Sequence, residues 1–134
     1  MARVLALVGD RWALQVVREV ALGVRRFDEV QAATGAPRAV LSDRLHRLTA
    51  AGILTTRAYR VPGRRARQEY ALTAAGLDLL PVLAALSDWA ERHLHPTGVV
   101  YRHGGCGGRL TTTLRCECGE QAGPRDRLIA EVNR

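Results

Sequence analysis

Ala36-Pro37-Arg38-Ala39-Val40-Leu41-Ser42-Asp43-Arg44-Leu45-His46-Arg47-Leu48-Thr49-Ala50-Ala51-Gly52 is the stretch that decides how the rest of the chain is read. Leu41, Leu45 and Leu48 recur at i, i+4 and i+7, which puts them on one face of a helix. Pro37 stands where a first helical position belongs, and Gly52 marks the end. Arg38, Ala39, Ser42, Asp43 and His46 then lie on or near the opposite face. Just upstream, Arg26-Phe27-Asp28-Glu29-Val30-Gln31-Ala32-Ala33 predicts a second short helix, broken by Gly35. Two short helices joined by a tight glycine-containing turn form a helix-turn-helix candidate.

Further upstream, Asp10 precedes an amphipathic run from Trp12 to Leu22 closed by Gly23. Asp is a good N-cap and Gly a good helix end, so a helix is predicted there, with residues 4–8 as a short lead-in. Downstream, residues 53–59 read as a strand and residues 68–72 as a second, with Pro62-Gly63 as the turn signal. Thr73 is expected to cap a long helix from Ala74 to Leu94, kinked or broken by Pro81. The expected fold is mainly α with a small β-hairpin wing, that is, a winged helix-turn-helix over residues 1–94. Residues 95–134 form a Gly/Cys-rich appendage that resembles a small zinc-ribbon hairpin in composition.

The formal net charge is +7, and all 20 Lys+Arg residues are Arg. The distribution carries more information than the total. Between Asp43 and Glu69 there is no acid, while Arg44, Arg47, Arg57, Arg60, Arg64, Arg65 and Arg67 all fall in that window. The remainder of the chain is neutral, so the whole excess sits in one stripe, the electrostatic footprint of a polyanion-binding face. No stretch approaches the roughly 20 apolar residues of a membrane helix, and no secretory signal is visible. The chain reads as cytoplasmic, with no membrane partner, and three cysteines that cannot all pair internally suit a reducing compartment.

These features point to double-stranded DNA. The major groove admits one α-helix, whose exposed side chains reach base edges. Arg38, Ala39 and Ser42, early in the helix, are the base-reading candidates, with Asp43 and His46 beside them. Arg38 can fork onto guanine, and Ala39 can touch a thymine methyl. The hairpin arginines Arg60, Arg64, Arg65 and Arg67 suit phosphate contact or insertion into a narrow minor groove, and Arg47 and Arg57 of the basic window are further DNA-binding candidates. For Arg44 and Arg47, on the helix flanks, phosphate contact and pairing with an acid of the fold are both open. Asp43 would either accept from a cytosine amino group or orient an arginine.

Several runs together resemble the HxlR-type regulators, relatives of the MarR group. They are Leu7-Val8-Gly9-Asp10-Arg11-Trp12-Ala13-Leu14, Arg25-Arg26-Phe27-Asp28-Glu29-Val30, Val40-Leu41-Ser42-Asp43-Arg44-Leu45, Gln68-Glu69-Tyr70-Ala71-Leu72-Thr73-Ala74-Ala75-Gly76-Leu77 and Trp89-Ala90-Glu91-Arg92-His93. The resemblance implies a transcription regulator of bacteria or archaea that acts as a homodimer through its terminal helices on a palindromic operator. It leaves room for a small-molecule effector, for which Trp12, Trp89 and Tyr101 are candidate lining residues, although core packing explains both tryptophans at least as well. Many relatives carry a sensing cysteine just before the first helix. Here that position reads Met1-Ala2-Arg3, and no thiol sensing is expected at it.

In the appendage, His103, Cys106, Cys116 and Cys118 supply four soft donors that could close a tetrahedral zinc site; His93 and His95 read first as cations that end the long helix and only second as substitutes for His103. The spacer in Cys116-Glu117-Cys118 is one residue, shorter than the common metal knuckle. Three reduced thiols in a hairpin without metal is the competing reading. An enzyme is not expected, because a Cys106–His103 pair has no third orienting group in view. A winged-helix scaffold that binds protein instead of DNA is the alternative function, and a charge-focused wing argues against it.

Overall fold

The computed structural model describes residues 1–94, 99–123 and 125–131. It divides into two units, Met1–Leu83 and Ala84–Arg134. The division falls inside a helix, upstream of the composition change at His95.

The first unit opens with α1 (Ala2–Val8) and α2 (Arg11–Ala21). Asp10 starts α2 by accepting from the backbone N–H of Trp12 at 2.8 Å and of Ala13 at 3.0 Å. The side chain thus satisfies two donors that have no partner within the helix. Then follow α3 (Phe27–Thr34) and α4 (Arg38–Ala50). The turn between them needs Gly35, whose φ of 70° lies in the left-handed region. Thr34 Oγ1 receives the Ala36 N–H at 3.3 Å, and Ala36 itself is buried.

Two details of α3 and α4 differ from expectation. Arg26 is extended, with φ −101° and ψ 148°, and caps α3 instead of beginning it. Pro37 is likewise the N-cap, at φ −56° and ψ 140°, and α4 begins at Arg38. The cause at Arg26 is a long-range pairing. Tyr70 N–H donates to Arg25 O at 2.8 Å, and Arg26 bridges Glu69 in antiparallel fashion. The segment before α3 is thereby held as a short third edge of the wing.

The wing proper is β1 (Leu54–Tyr59) paired antiparallel with β2 (Arg67–Leu72), in register from Leu54 opposite Leu72 to Tyr59 opposite Arg67. The core that positions it is aliphatic, made of Ala13, Val16, Val17, Val20, Val30, Leu41, Leu45, Leu48, Ile53 and Leu54. The three leucines expected to face inward from α4 are all at most 1% exposed.

After the wing, the single long helix expected over residues 74–94 is two helices. α5 (Ala74–Leu77) stops, and α6 (Leu80–His93) begins afresh. Pro81 sits in the first turn of α6, where its missing N–H costs nothing. Thr73 Oγ1 accepts from Gly76 N–H at 3.1 Å and itself donates to Gly52 O, which fastens α5 to the end of α4. The close approach of Gly76 completes that junction. A Cβ at Gly76 would lie 2.3 Å from Ile53 O, so no other residue fits without moving the backbone.

The second unit contains the end of α6 and the appendage. Two small hairpins recur there. In the first, Arg102 bridges Arg109, and Leu110 N–H donates to Tyr101 O at 2.8 Å. The second is β3 (Leu114–Arg115) paired with β4 (Gln121–Ala122). Ala90 is the one apolar side chain in this unit that is buried among the described residues.

Candidate nucleic-acid interface

The burial of Leu41, Leu45 and Leu48 leaves Arg38, Ala39, Ser42, Asp43 and His46 exposed on α4. Arg38 starts the helix. Its guanidinium lies 4.7 Å above the centre of the Phe27 ring, and Nη1 is 3.6 Å from Asp28 Oδ1.

The flanks of α4 are engaged with the fold. Arg44 turns inward, its side chain only 21% exposed, with Nε 2.7 Å from Asp10 Oδ2. The carboxylate that caps α2 therefore also anchors α4, and Arg44 takes the structural of the two roles left open above. Asp43 lies against Arg44 and 3.9 Å from Arg47. Arg47 Nη2 donates to Ala6 O at 2.7 Å, so part of its fork is held by α1.

On the wing, the arginines sort by whether an acid faces them. Arg57 stands opposite Glu69, at 3.7 Å, and the same carboxylate is 3.5 Å from Arg26 Nε. Arg67 Nη1 is 3.9 Å from Asp28 Oδ2. Among the described residues, Arg60, Arg64 and Arg65 have no ion-pair partner and are exposed. They sit at or next to the turn in which Arg64 N–H donates to Val61 O at 3.0 Å.

Between the start of α3, the start of α4 and the wing lies a concavity of about 560 Å³, bordered by Arg26, Asp28, Arg38, Tyr59, Arg67 and Tyr70. Arg26 covers the Tyr59 ring at 4.6 Å. Burial pushes the Tyr70 phenol up, so at neutral pH it is an uncharged donor. Arg26, Asp28 and Tyr59 belong to this concavity without being among the sequence-predicted site residues. Their membership depends on pairing across the wing, and local periodicity carries no signal for that.

In the second unit the soft donors form two pairs. His103 Nδ1 is 3.3 Å from Cys106 Sγ, within a turn closed by Gly107 N–H to His103 O at 2.8 Å. Cys116 and Cys118 share the β3–β4 turn, where Gly119 N–H donates to Cys116 O at 2.9 Å. The backbone and side chain of Cys118, turned on the Cys116 sulfur, hold that thiol below its ordinary value. Among the described residues, no three His, Cys, Asp or Glu side chains stand together closely enough to hold a metal. The four expected ligands are thus gathered two by two and not as one set. His93 ends α6 against Trp89, with ring centres 5.3 Å apart, and His95 lies outside the described residues. Trp89 also borders a concavity of about 500 Å³ with Ala85, Arg92, Leu114 and Leu128. Trp12 is half-buried beneath the Arg11 guanidinium, and Tyr101 is half-buried in the first hairpin.

Residues 7–98 match the HxlR-like helix-turn-helix family. An uncharacterized HTH-type transcriptional regulator of Mycobacterium tuberculosis is 39% identical over 132 residues, covering 94% of this chain and 81% of that protein. The crystal structure of PA1607, described as a transcription factor, superposes with a TM-score of 0.78 at 27% identity, covering 98% of this chain and 93% of that one. The structure of PA1374 from Pseudomonas aeruginosa, likewise described as a transcription factor, gives a TM-score of 0.62 at 29% identity, covering 94% of this chain and 93% of that one. Among the described residues, no helix is long and apolar enough to cross a membrane.

Proposed function

The chain belongs to the HxlR-like helix-turn-helix family of transcription regulators, and we propose that it binds operator DNA sequence-specifically as a homodimer in the cytoplasm. The observation that carries this reading is the pairing of an exposed α4 face with a wing tip of unpaired arginines. Arg38, Ala39 and Ser42 read base edges. Arg60, Arg64 and Arg65 hold phosphates, which position the protein without reading sequence. In the dimer, two α4 helices enter successive major grooves about 34 Å apart, so the operator is a palindrome with half-sites about one turn apart.

Support for the dimer comes from apolar surface without a partner. Val82, Leu86 and Trp89 recur at i, i+4 and i+7 on α6 and are 45%, 50% and 50% exposed, while Leu83 and Ala90 on another face are buried. Val4 and Leu5 on α1 are also more than half exposed. A helix with a second apolar stripe in water marks an interface. The concavity beside Trp89, bordered also by Ala85, Leu114 and Leu128, suits a small, largely apolar effector.

The experiment is selection of a preferred duplex from a random-sequence library, followed by binding measurements on that duplex and a scrambled one. Replacing Arg38 by Ala is expected to cost about 1–3 kcal/mol on the selected duplex and to relax preference at one base pair per half-site. An equal loss on both duplexes would remove Arg38 from base reading. A chain that selects no sequence and captures a protein instead would favour the scaffold alternative.

For the appendage, the donor chemistry supports zinc. A metal drawing the His103–Cys106 pair to the Cys116–Cys118 pair would stabilise a unit with almost no core, because binding free energy then becomes folding free energy. Protein purified without added metal is expected to contain close to one zinc per chain by elemental analysis. Less than about a tenth of an equivalent, with the hairpins still folded, would exclude the metal.

A further inference from the structure

An acid on a surface proposed to meet phosphates needs a reason, and Asp28 has two. Its carboxylate faces a different arginine with each oxygen: Oδ1 is 3.6 Å from Arg38 Nη1, and Oδ2 is 3.9 Å from Arg67 Nη1. One residue in the first turn of α3 thus joins the first residue of α4 to the first residue of β2. Its neighbour Glu29 serves the helix itself, accepting the Arg26 N–H at 3.2 Å. Asp28 makes no such cap.

These contacts do not act through stability. The side chains of Arg38 and Asp28 are 73% and 70% exposed, and pairs so open to solvent are worth little. What they change is where Arg38 can point. A free arginine side chain samples many rotamers, and binding must restrict them. Here the Phe27 ring lies under the guanidinium and Asp28 holds its edge. Arg67 faces the same group at 3.9 Å from the other side of the cleft. The carboxylate also offsets one of two positive charges, which weakens attraction to phosphates of any sequence.

Resting on the DNA-binding reading above, we infer that Asp28 is a specificity-determining positioning residue, which sets the recognition arginine and the wing strand in register and holds down binding to non-operator duplex. It does not touch bases. It acts by reducing what Arg38 and Arg67 gain from sequence-independent contact, while keeping Arg38 pre-aimed for base contact.

The test compares Asp28→Asn with Glu29→Gln, using the duplex selected by the unaltered chain and a scrambled duplex of equal length over a salt series. Both variants remove one charge from the same helical turn, and Gln retains the capping interaction. Asp28→Asn is expected to tighten scrambled binding by roughly three- to tenfold, to steepen its salt dependence by about one per freed arginine, and to cut the selected-to-scrambled ratio by about tenfold. Glu29→Gln should move that ratio less than twofold. In an Arg38→Ala background, Asp28→Asn should lower the ratio no further. The inference is overturned if the two variants shift both duplexes alike, or if Asp28→Asn lowers the melting temperature while leaving the ratio unchanged. Absence of duplex binding by the unaltered chain is a different failure, which removes the DNA-binding reading and this inference with it.

Discussion

A chain carrying Val82→Glu and Leu86→Glu is expected to run as a monomer and to bind its selected duplex about 100-fold or more weakly than the unaltered chain. The two residues lie one turn apart on the exposed apolar stripe of α6, away from the Leu83 and Ala90 face that the protomer itself buries. Charges placed there leave the fold's own packing intact and repel their symmetry mates across a two-fold axis, where the same patch meets itself. The weaker DNA binding follows from linkage. When two half-sites are engaged by one dimer, the second binding event is intramolecular, and avidity exceeds single-site affinity by roughly 10²–10⁴. Light scattering and binding anisotropy check the two halves separately. An unaltered chain that is already monomeric at micromolar concentration would contradict the dimer, as would a double variant that stays dimeric.

The second large effect is expected at the wing tip. Arg64→Ala with Arg65→Ala should weaken binding to selected and scrambled duplexes together. It should also flatten the salt dependence by up to about four in a dimer, at about 0.9 for each phosphate no longer neutralised. The reason for choosing these two is the map of acids around them. Arg57 shares Glu69 with Arg26, and Arg67 shares Asp28 with Arg38. Their charges are partly offset before any DNA arrives, so their removal should be felt less. Arg64 and Arg65 have no such partner among the described residues and can release counterions in full. Equal salt slopes for the double variant and the unaltered chain would place the phosphate contacts elsewhere.

The helical part of the fold was legible because its signals are local. Asp10 caps α2 from the position the sequence suggests, and Gly35 takes the left-handed turn before α4. The leucines of α4 bury as their spacing requires. The misreadings have a common cause in contacts distant along the chain. Arg26 looks helical by pattern and is extended because Glu69 and Tyr70 pair with its segment. Residues 74–94 look like one helix and are two. Pro81 signalled an interruption, but the break falls before it, after a short α5 held against Ile53 through Gly76.

The site divides the same way. Which residues of α4 face outward was readable from the heptad-like spacing. Which arginines are free was not, because, Asp43 beside Arg44 and Arg47 apart, the offsetting acids lie elsewhere along the chain: Asp10 for Arg44, Asp28 for Arg38 and Arg67, and Glu69 for Arg57. An acid-free window in sequence carries the sign of the surface but not its pairing in space. In the appendage, spacing suggested a single four-donor set, whereas local turn geometry gathers His103 with Cys106 and Cys116 with Cys118.

The most direct test of the central claim is binding of the full chain to its selected duplex and to a scrambled duplex, followed by anisotropy from about 50 to 200 mM salt. Six unpaired wing-tip arginines in a dimer predict a slope of log K against log salt near −5, at about −0.9 per phosphate. They also predict a clear preference for the selected duplex at every salt concentration. A chain that binds neither duplex at low salt, or binds both equally with no salt dependence, would contradict the account.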